Sequence, residues 1–417
     1  MEKFVIKGGT HLEGSVRISG AKNAVLPLMA AALLSEGKSV VENVPDLRDV
    51  RTMCHLLRIL GAQVHFENET ITIDTERVNF FEAPYDLVKT MRASVYVLGP
   101  LTARYGHARV SLPGGCAWGP RPIDMHLSGL EQLGASLELD RGYINARASR
   151  LKGAEISFPK VSVGATGNIL MAAVLADGET VLNNVSIEPE ITALAASLNT
   201  MGAHIEGIGE RTLRIKGVTS LSPLSTSVIP DRIEASTFLT AGAIAGGKVS
   251  LVNAEPEHIR SITAALENAG VTISTGETIT LESSGRIRPV DIRTAVYPGF
   301  PTDMQAQWIA LMSIAGGDSV VEDTIFFDRF THVAELNRLG ANITIDMNRA
   351  LVKGTEKLYG AQVMSTDLRA SASLIIAGLR AQGQTIVDRI YHIDRGYDSI
   401  EEKLRGLGAD ILRADTS

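Results

Sequence analysis

Apolar and polar positions along this chain follow one pattern that is repeated six times. In each copy a helix-like period of apolar residues ends at a glycine, and a strand-like alternation of apolar and polar residues follows. These glycines are 73, 68, 68, 70 and 68 residues apart: Gly61, Gly134, Gly202, Gly270, Gly340 and Gly408. Because glycine readily adopts the left-handed conformation that closes many helices, we expect each of them to end a helix.

A second series of glycines is expected to end another helix in each copy. Its members are Gly37, Gly106, Gly178, Gly247, Gly317 and Gly383. The helices before them, such as residues 169–176 and 308–315, are apolar on nearly all faces and rich in alanine. A helix without a polar face must be surrounded by protein, so we expect these helices inside each domain with the sheets around them. Each copy reads strand, helix, strand, helix, strand, strand, which predicts an α/β fold of βαβαββ-type repeats.

The natural division of six units is three per domain, with a boundary near residues 228–231. The chain has 417 residues and is 45% hydrophobic, so it can bury a large core. The first predicted strand, residues 3–19, precedes the first helix and could pair with either domain.

The charge balance and the apolar runs exclude several classes of protein. Forty basic and 47 acidic residues give a net charge of -7, which argues against a general nucleic-acid or anionic-membrane surface. The two cysteines cannot form a disulfide framework, and the first residues lack the apolar segment of a signal peptide. The longest apolar run, residues 24–34, is too short to span a membrane. We therefore expect a cytoplasmic protein with no nucleic-acid or membrane partner.

One loop is longer than its counterparts and carries a cysteine. The interval from Gly106 to Gly134 is 28 residues, against 23 to 25 in the other copies, and the extra residues fall in the Gly- and Pro-rich segment 113–122. Cys116 lies in this segment near Arg121, and a neighbouring cation favours a thiolate. The sequence thus predicts a reactive Cys116. The alternative is a buried packing thiol, a description that suits Cys54 better.

Charged residues recur where the predicted helices begin. They are Lys22, Arg92, Arg232, Asp303 and Arg369 before the apolar helices, and Arg48, Arg121, His258, Arg329 and Arg395 before the others. A cation does not stabilise a helix N-terminus, but a bound anion beside the cation would resolve the conflict. The alternative is that these residues form surface ion pairs, each worth only about 0–1 kcal/mol.

Asp303 is the one carboxylate in this series. Among several cations it would stay ionised and could orient a hydroxyl and accept its proton, although it could instead cap a helix. No dinucleotide-binding glycine motif and no zinc-like His and Cys spacing occur, so we expect no cofactor and no metal. His107, His126 and His392 are expected to be ordinary packing or surface residues.

Four segments carry a resemblance that covers essentially the whole chain. They are the Ser-Gly-Ala-Lys-Asn-Ala stretch at 19–24, the cysteine loop ending in Arg-Pro-Ile-Asp at 124, Asp-Leu-Arg-Ala-Ser at 367–371 and His-Ile-Asp-Arg-Gly-Tyr at 392–397. With the six repeats, they resemble the UDP-N-acetylglucosamine enolpyruvyl transferase family. The resemblance implies two inside-out α/β barrel domains, 21–229 and 1–20 plus 230–417, with the active site in the cleft between them. It also implies transfer of the enolpyruvyl group of phosphoenolpyruvate to the sugar 3-hydroxyl with release of phosphate, the first committed step of peptidoglycan precursor synthesis.

The resemblance further implies a role for individual residues. Cys116, the target of fosfomycin in this family, would be the proton donor, and Asp303, Lys22 and Arg395 would be the other catalytic residues. Phosphoenolpyruvate would be bound by Lys22, Asn23, Arg121, Arg369 and Arg395. UDP-N-acetylglucosamine would be bound by Asn23, Arg92, Arg121, Pro122, Ile123, Asp124, Met125, Lys160, Val161, Ser162, Val163, Gly164, Asp303, Ile325 and Arg329.

The chain departs from the family pattern at three places. Phe327-Asp328-Arg329 replaces the common Glu-Asn-Arg, Trp118 and Pro120 occupy small-residue positions, and Tyr96 replaces a frequent tryptophan. Three alternative functions stay open: enolpyruvyl transfer to another acceptor such as shikimate 3-phosphate, an RNA 3′-phosphate cyclase, and a non-catalytic sugar-nucleotide binding protein. The acidic net charge argues against the cyclase, which would need a basic RNA surface.

Overall fold

A computed structural model describes residues 2–112 and 123–415, and these form two compact units. Gly20–Ile229 makes up one, the central unit. Residues 2–19 and 230–415 make up the other, the terminal unit, which therefore combines both ends of the described chain.

The terminal unit contributes the first two strands, and the central unit follows. The first strands are β1 (Glu2–Lys7) and β2 (Leu12–Arg17). The described elements of the central unit are α1 (Lys22–Ala31), β3 (Lys38–Glu42), α2 (Arg48–Ile59), β4 (Gln63–Glu67), β5 (Thr70–Asp74), β6 (Glu82–Ala83), α3 (Tyr85–Val88), α4 (Leu98–Tyr105), β7 (His107–Ser111), α5 (Asp124–Gln132), β8 (Ser136–Asp140), β9 (Tyr143–Arg147), β10 (Glu155–Ser157), α6 (Val163–Ala173), β11 (Glu179–Asn183), α7 (Pro189–Thr200), β12 (His204–Glu206), β13 (Thr212–Lys216) and β14 (Ser225–Ser227), with 3-10 segments at Ala32–Leu34 and Arg92–Val97.

The chain then returns to the terminal unit. Its remaining elements are α8 (Arg232–Ala245), β15 (Gly247–Val252), α9 (Arg260–Asn268), β16 (Thr272–Thr275), β17 (Ile279–Ser283), β18 (Ile292–Arg293), α10 (Gln305–Met312), β19 (Asp318–Glu322), α11 (His332–Arg338), β20 (Asn342–Asp346), β21 (Arg349–Lys353), β22 (Gln362–Met364), α12 (Leu368–Arg380), β23 (Gln384–Asp388), α13 (Ile400–Gly406) and β24 (Asp410–Asp415), with 3-10 segments at Pro256–Ile259, Thr302–Met304 and Ile390–Arg395.

The described strands form six four-stranded sheets, three in each unit, that share one plan. In the order β6-β7-β9-β8, for example, β6 pairs with β7 in parallel, and the other neighbours are antiparallel. The parallel edge strand always comes from a neighbouring repeat: β14, at the end of the central unit, pairs with β3 near its beginning. These pairings link the three sheets of a unit in a cycle, and the fold is mixed α/β.

The N-terminal segment differs from the single strand predicted for residues 3–19. It forms two strands with different neighbours: β1 pairs antiparallel with β23 and β24, whereas β2 pairs parallel with β15. The chain turns between them at Gly8 and Gly9, and Gly9 has a φ of 98°. This pair of glycines is a turn signal within the expected strand. Both strands belong to the terminal unit.

The apolar helices are buried, as the sequence pattern predicts, and small residues let them approach closely. All eight residues of α10 are buried, as are nine of the eleven in α6. The backbone N–H of Gly99 in α4 donates to Oδ1 of Asn168 in α6 at 2.7 Å. A Cβ atom on Gly99 would lie only 2.4 Å from that oxygen, so a larger residue would separate the two helices. Each unit has its own hydrophobic core.

The two glycine series differ in their backbone conformation. All six members of the first series have positive φ angles, between 89° and 105°. The second series includes one exception, because Gly317 has no positive φ. A left-handed conformation was predicted only for the first series, where it is confirmed at all six positions.

Within the described residues, no helix is both long enough and apolar enough to cross a membrane.

Candidate functional site

Asp303 is held between two arginines of the terminal unit. It lies in the 3-10 turn Thr302–Met304 that leads into the buried helix α10. Its Oδ2 atom is 2.6 Å from Nη2 of Arg369, and its Oδ1 atom is 2.9 Å from Nη1 of Arg329. Asp303 lies in the first turn, where a carboxylate also suits the positive end of the helix dipole. The carboxylate is therefore oriented by two charge-assisted contacts with arginine side chains.

Arg369 is positioned by its own helix and by a buried tyrosine. It is the second residue of α12, whose N-terminus is capped by Asp367 Oδ1, which accepts the Arg369 N–H at 2.7 Å. Its Nη1 donates to the hydroxyl of Tyr397 at 3.4 Å. Burial alone would lower the pKa of the Arg369 guanidinium, but the charge of Asp303 and its hydrogen bond raise that pKa above the ordinary value. Arg369 is thus a permanent cation in a nearly buried place.

Tyr397 is itself buried and hydrogen-bonded, and its surroundings determine the protonation state of its hydroxyl. Its hydroxyl lies 2.8 Å from the Thr237 hydroxyl and accepts a hydrogen bond from Gln307 at 3.3 Å. Burial raises the pKa of Tyr397, which keeps the phenol protonated. Tyr397 consequently supports Arg369 as a neutral hydrogen-bonding partner.

Two cations of the terminal unit do not begin helices as expected. Arg329 precedes α11 by three residues, and Arg395 ends the 3-10 segment Ile390–Arg395, five residues before α13. Short 3-10 and irregular turns precede α11 and α13, and their apolar residues continue the helix-like spacing of the sequence. The sequence pattern therefore predicts helix starts that are several residues too early. Arg329 is nonetheless buried against Asp303, and Arg395 is half-buried two residues before Tyr397.

The central unit brings Lys22 to a second buried carboxylate. Lys22 is the first residue of α1, as predicted, and its Nζ lies 3.6 Å from Oδ2 of Asp49 in the first turn of α2. The exposed fractions of these side chains are 14% and 6%. Asn23 follows in α1 and is half-buried. The α1 N-terminus has no acidic residue in its first turn, so the positive end of its helix dipole and the lysine together suit an anion.

A second group in the central unit surrounds His126. This residue of α5 is 6% exposed, and its Nδ1 accepts a hydrogen bond from Nδ2 of Asn168 at 2.9 Å. Burial, and then the charge of Arg92, lower the pKa of His126 to about 4, so the ring is neutral at pH 7. On its other side, a Cβ placed on Gly164 would lie 3.3 Å from Nε2. Arg92 and the Ser162–Gly164 segment are therefore brought to the same place.

His126 was expected to be an ordinary packing or surface histidine, and its burial agrees with packing. Sequence reasoning did not identify its position beside residues that were predicted to bind the sugar nucleotide. The available signal was its place directly after Asp124 and Met125 in the predicted binding segment. Met125 is buried and Asp124 is exposed at the N-terminus of α5.

The other predicted binding residues have varied environments. Lys160 is exposed and Val161 half-buried on the approach to α6, where Ser162 accepts a hydrogen bond from the Ala165 N–H at 3.3 Å. Ile325 is half-buried in the turn after β19, and Ile123 is half-buried before α5. Cys116, Arg121 and Pro122 lie outside the described residues.

The second cysteine behaves as expected for a packing residue. Cys54 is buried in α2, and desolvation raises the pKa of its thiol to about 11. A thiol with such a high pKa is protonated at pH 7 and is a poor nucleophile.

The described arrangement can therefore do two kinds of chemistry. The terminal unit presents an ionised carboxylate that is fixed by two guanidinium groups, which suits a group that orients a hydroxyl and accepts its proton. The central unit presents Lys22 and Arg92 near helix N-termini, which suits the binding of phosphate or carboxylate groups.

Comparison with known proteins agrees with a phosphate-handling α/β enzyme. The family model described as EPSP synthase (3-phosphoshikimate 1-carboxyvinyltransferase) matches residues 6–404. Proteins named UDP-N-acetylglucosamine 1-carboxyvinyltransferase from Geobacter metallireducens and Shewanella woodyi are each 55% identical to the chain. The first alignment covers 99% of both chains, and the second covers 99% of this chain and all of the relative.

Solved structures show the same fold. The enolpyruvyl transferase NikO from Streptomyces tendae superposes with a TM-score of 0.88 at 28% identity, covering 100% of this chain and 99% of that one. EPSP synthase from Acinetobacter baumannii superposes with a TM-score of 0.76 at 19% identity over the full length of both chains, a likeness of fold alone.

Proposed function

Because this chain belongs to the EPSP synthase family and, within it, to the UDP-N-acetylglucosamine 1-carboxyvinyltransferases, we propose that it transfers the enolpyruvyl group of phosphoenolpyruvate to the 3-hydroxyl of UDP-N-acetylglucosamine, with release of phosphate. The observation that carries the choice of acceptor is the 55% identity over nearly the whole length of relatives with that name. The product is a precursor of peptidoglycan, so the enzyme serves cell-wall synthesis.

The geometry of Asp303 supports the chemical part of the proposal. The sugar hydroxyl must lose a proton as it attacks C2 of phosphoenolpyruvate, while the methylene carbon gains one. Asp303, fixed by Arg329 and Arg369, takes the hydroxyl proton, and Cys116 donates the proton to the methylene carbon. Loss of a proton from the new methyl group then expels phosphate and restores the double bond.

The cations of both units supply the charges that these substrates need. Lys22, Asn23, Arg121, Arg369 and Arg395 bind the phosphate and carboxylate of phosphoenolpyruvate. Arg92 and the Ser162–Gly164 segment, with His126 between them, are suited to the diphosphate and sugar of the nucleotide, because they combine a cation with a helix N-terminus.

The proposal includes the finer features that the family resemblance implies. The buried helices of each unit would form the inside of an inside-out α/β barrel, and the cyclic pairing of its three sheets supports this arrangement. The enzyme would act in the cytoplasm without cofactor, nucleic acid or membrane partner.

Phosphate release in the presence of two acceptors tests the proposal. The purified chain is incubated with phosphoenolpyruvate and either UDP-N-acetylglucosamine or shikimate 3-phosphate, and inorganic phosphate is measured. We expect release with the sugar nucleotide alone. Release only with shikimate 3-phosphate would assign the other acceptor, and nucleotide binding without any release would indicate a binding protein.

Two substitutions of the loop cysteine test the proton donor. Cys116→Asp keeps an acid that can donate a proton but removes the thiol that fosfomycin alkylates. We expect Cys116→Asp to turn over in the presence of fosfomycin and Cys116→Ala to lose most turnover. A fully active Cys116→Ala variant would remove Cys116 from the mechanism.

A further inference from the structure

A buried carboxylate outside the catalytic set organises one side of this site. Asp323 directly follows β19 and is 0% exposed. Its Oδ1 atom accepts the backbone N–H groups of Ile325 at 2.9 Å and Phe326 at 3.0 Å, and the hydroxyl of Thr294 at 2.8 Å. An ionised carboxylate is costly to bury unless such donors surround it. These bonds hold the turn that carries Ile325.

The other oxygen of Asp323 begins a chain of hydrogen bonds that ends at the proposed base. Oδ2 accepts the Thr302 hydroxyl proton at 2.7 Å. Because that hydroxyl has only one proton, it turns a lone pair towards Arg329, whose Nη1 donates to it at 3.1 Å. The same Nη1 atom lies 2.9 Å from Oδ1 of Asp303. The direction of every bond in the chain is thus fixed by the charge of Asp323.

We propose that Asp323 is a positioning residue of this enzyme: through the Thr302 hydroxyl it sets the orientation of Arg329 against Asp303, and through two backbone N–H groups it sets the turn of Ile325. The inference rests on the proposed function, in which Asp303 is the base and Ile325 contacts the sugar nucleotide. It assigns Asp323 no contact with either substrate.

Asp323 acts through two arms, one through the Thr302 hydroxyl and one through the backbone N–H groups of Ile325 and Phe326, and these have different kinetic consequences. The arm through Thr302 controls the aim of a group that acts in the transition state, so its loss lowers kcat. The arm through the turn controls a surface that binds the sugar nucleotide before and during reaction, so its loss raises KM. A purely structural role of Asp323 would not separate these effects along the two arms.

Substitutions of Thr302 isolate the first arm. Thr302→Val keeps the shape of the side chain but removes the hydroxyl, whereas Thr302→Ser keeps the hydroxyl. We expect Thr302→Val to lower kcat roughly tenfold to a hundredfold, the scale of a small misplacement of a catalytic group, with KM for UDP-N-acetylglucosamine changed by less than about twofold. Thr302→Ser should restore most of kcat. Thr240→Val, a buried threonine in α8 that bonds only within its helix, is the matched control and should behave as the parent.

Asp323→Asn tests both arms together. The amide nitrogen that faces Thr302 would donate where an acceptor is needed, and the charge is lost. We expect kcat to fall as in Thr302→Val. KM for the nucleotide should rise only severalfold, because the amide oxygen still accepts the Ile325 and Phe326 N–H groups but, without the charge, holds them more weakly. Since both changes break one chain, kcat of the double variant should be no lower than that of the slower single variant.

Clear outcomes would overturn the inference. They are a Thr302→Val variant with the parent kcat, Thr302→Val and Thr302→Ser variants that are equally slow, and losses of kcat that multiply in the double variant. The Thr302 variants decide the matter if Asp323→Asn does not fold. A parent enzyme that releases no phosphate from these substrates would instead refute the proposed function, so the two failures are distinguishable.

Discussion

Replacing Asp303 with asparagine tests the central pair of ion contacts. The change keeps the shape of the side chain but removes the charge between two guanidinium groups, and it can point an amide donor at one of them. The exposed fractions of the Arg329 and Arg369 side chains are 9% and 8%, and that of Asp303 is 25%. Water therefore cannot replace the lost carboxylate for either arginine.

The expected magnitudes follow from this burial. Removing one partner of a buried ion pair typically destabilises a protein by about 3–5 kcal/mol. Because Asp303 is partly exposed, we expect the lower end, about 3 kcal/mol, for the free energy of unfolding of the terminal unit. Removing a general base typically costs roughly 10²- to 10⁴-fold in rate, so kcat should fall within that range.

Fluorescence and kinetics report these two effects separately. Trp308 is 0% exposed in α10, five residues after Asp303, and in a Trp118→Phe background it is the only tryptophan of the chain. Urea unfolding of that background, followed by Trp308 emission, gives the stability change, and phosphate release gives kcat. Asp346→Asn, at an exposed position of β20, is the control for an ordinary loss of one negative charge.

Either of two results would refute the reasoning. If Asp303→Asn retains the parent kcat, Asp303 is not the base. If kcat falls but the unfolding curve matches that of Asp346→Asn, the carboxylate is not held by the two arginines in the way that the distances indicate.

Three further predictions concern buried groups in the two units. Lys403→Met leaves the buried Glu234 carboxylate without the Nζ contact at 2.6 Å and should cost about 3–5 kcal/mol at pH 8. Burial raises the pKa of Glu234, and the charge of Lys403 opposes that rise. Without the lysine the pKa rises further and the carboxyl is more easily protonated, so the loss of unfolding free energy should be smaller at pH 5 than at pH 8. Equal losses at the two pH values in urea unfolding would contradict this prediction. The pKa of His126 falls from 6.5 to about 4 on folding, so the stability that its neutral ring contributes is present above pH 6.5 and is lost as the pH falls. In urea unfolding, lowering the pH from 8 to 5 should therefore destabilise His126→Gln by about 2 kcal/mol less than it destabilises the parent. If the variant and the parent showed the same pH dependence, a neutral buried ring would be excluded. Gly99→Ala forces a Cβ atom against Asn168 and should destabilise the central unit by about 1–3 kcal/mol in urea unfolding. A variant as stable as the parent would instead show that α4 and α6 can move apart without loss of stability.

The sequence predicted best those features that the local pattern determines. The glycines that follow amphipathic helices have the expected positive φ, because a left-handed helix end needs glycine whatever surrounds it. Lys22 begins α1 as predicted. The two N-terminal strands were taken as one, since the choice between a long strand and a turn at Gly8 and Gly9 depends on partners that lie more than 200 residues away.

The sequence indicated which residues belong to the candidate site, but it did not indicate which of them contact one another. Asp303, Arg329 and Arg369 were all selected by their place in the repeats, yet three different segments of the chain must fold before they meet. The environment of His126 also depends on such contacts, because Asn168 and Gly164 come from a later repeat. Asp323 gave no signal in the sequence, since a single aspartate after a strand is common and only its four buried donors distinguish it.

The most direct measurement of the central claim identifies the bond that the enzyme makes. Phosphoenolpyruvate labelled with carbon-13 at C2 is incubated with UDP-N-acetylglucosamine and the enzyme, and the product is examined by NMR. We predict a vinyl ether carbon coupled to the proton on C3 of the sugar, formed in an amount equal to the phosphate released. Phosphate release without that coupling, or a label that stays in phosphoenolpyruvate with active and folded protein, would contradict the account.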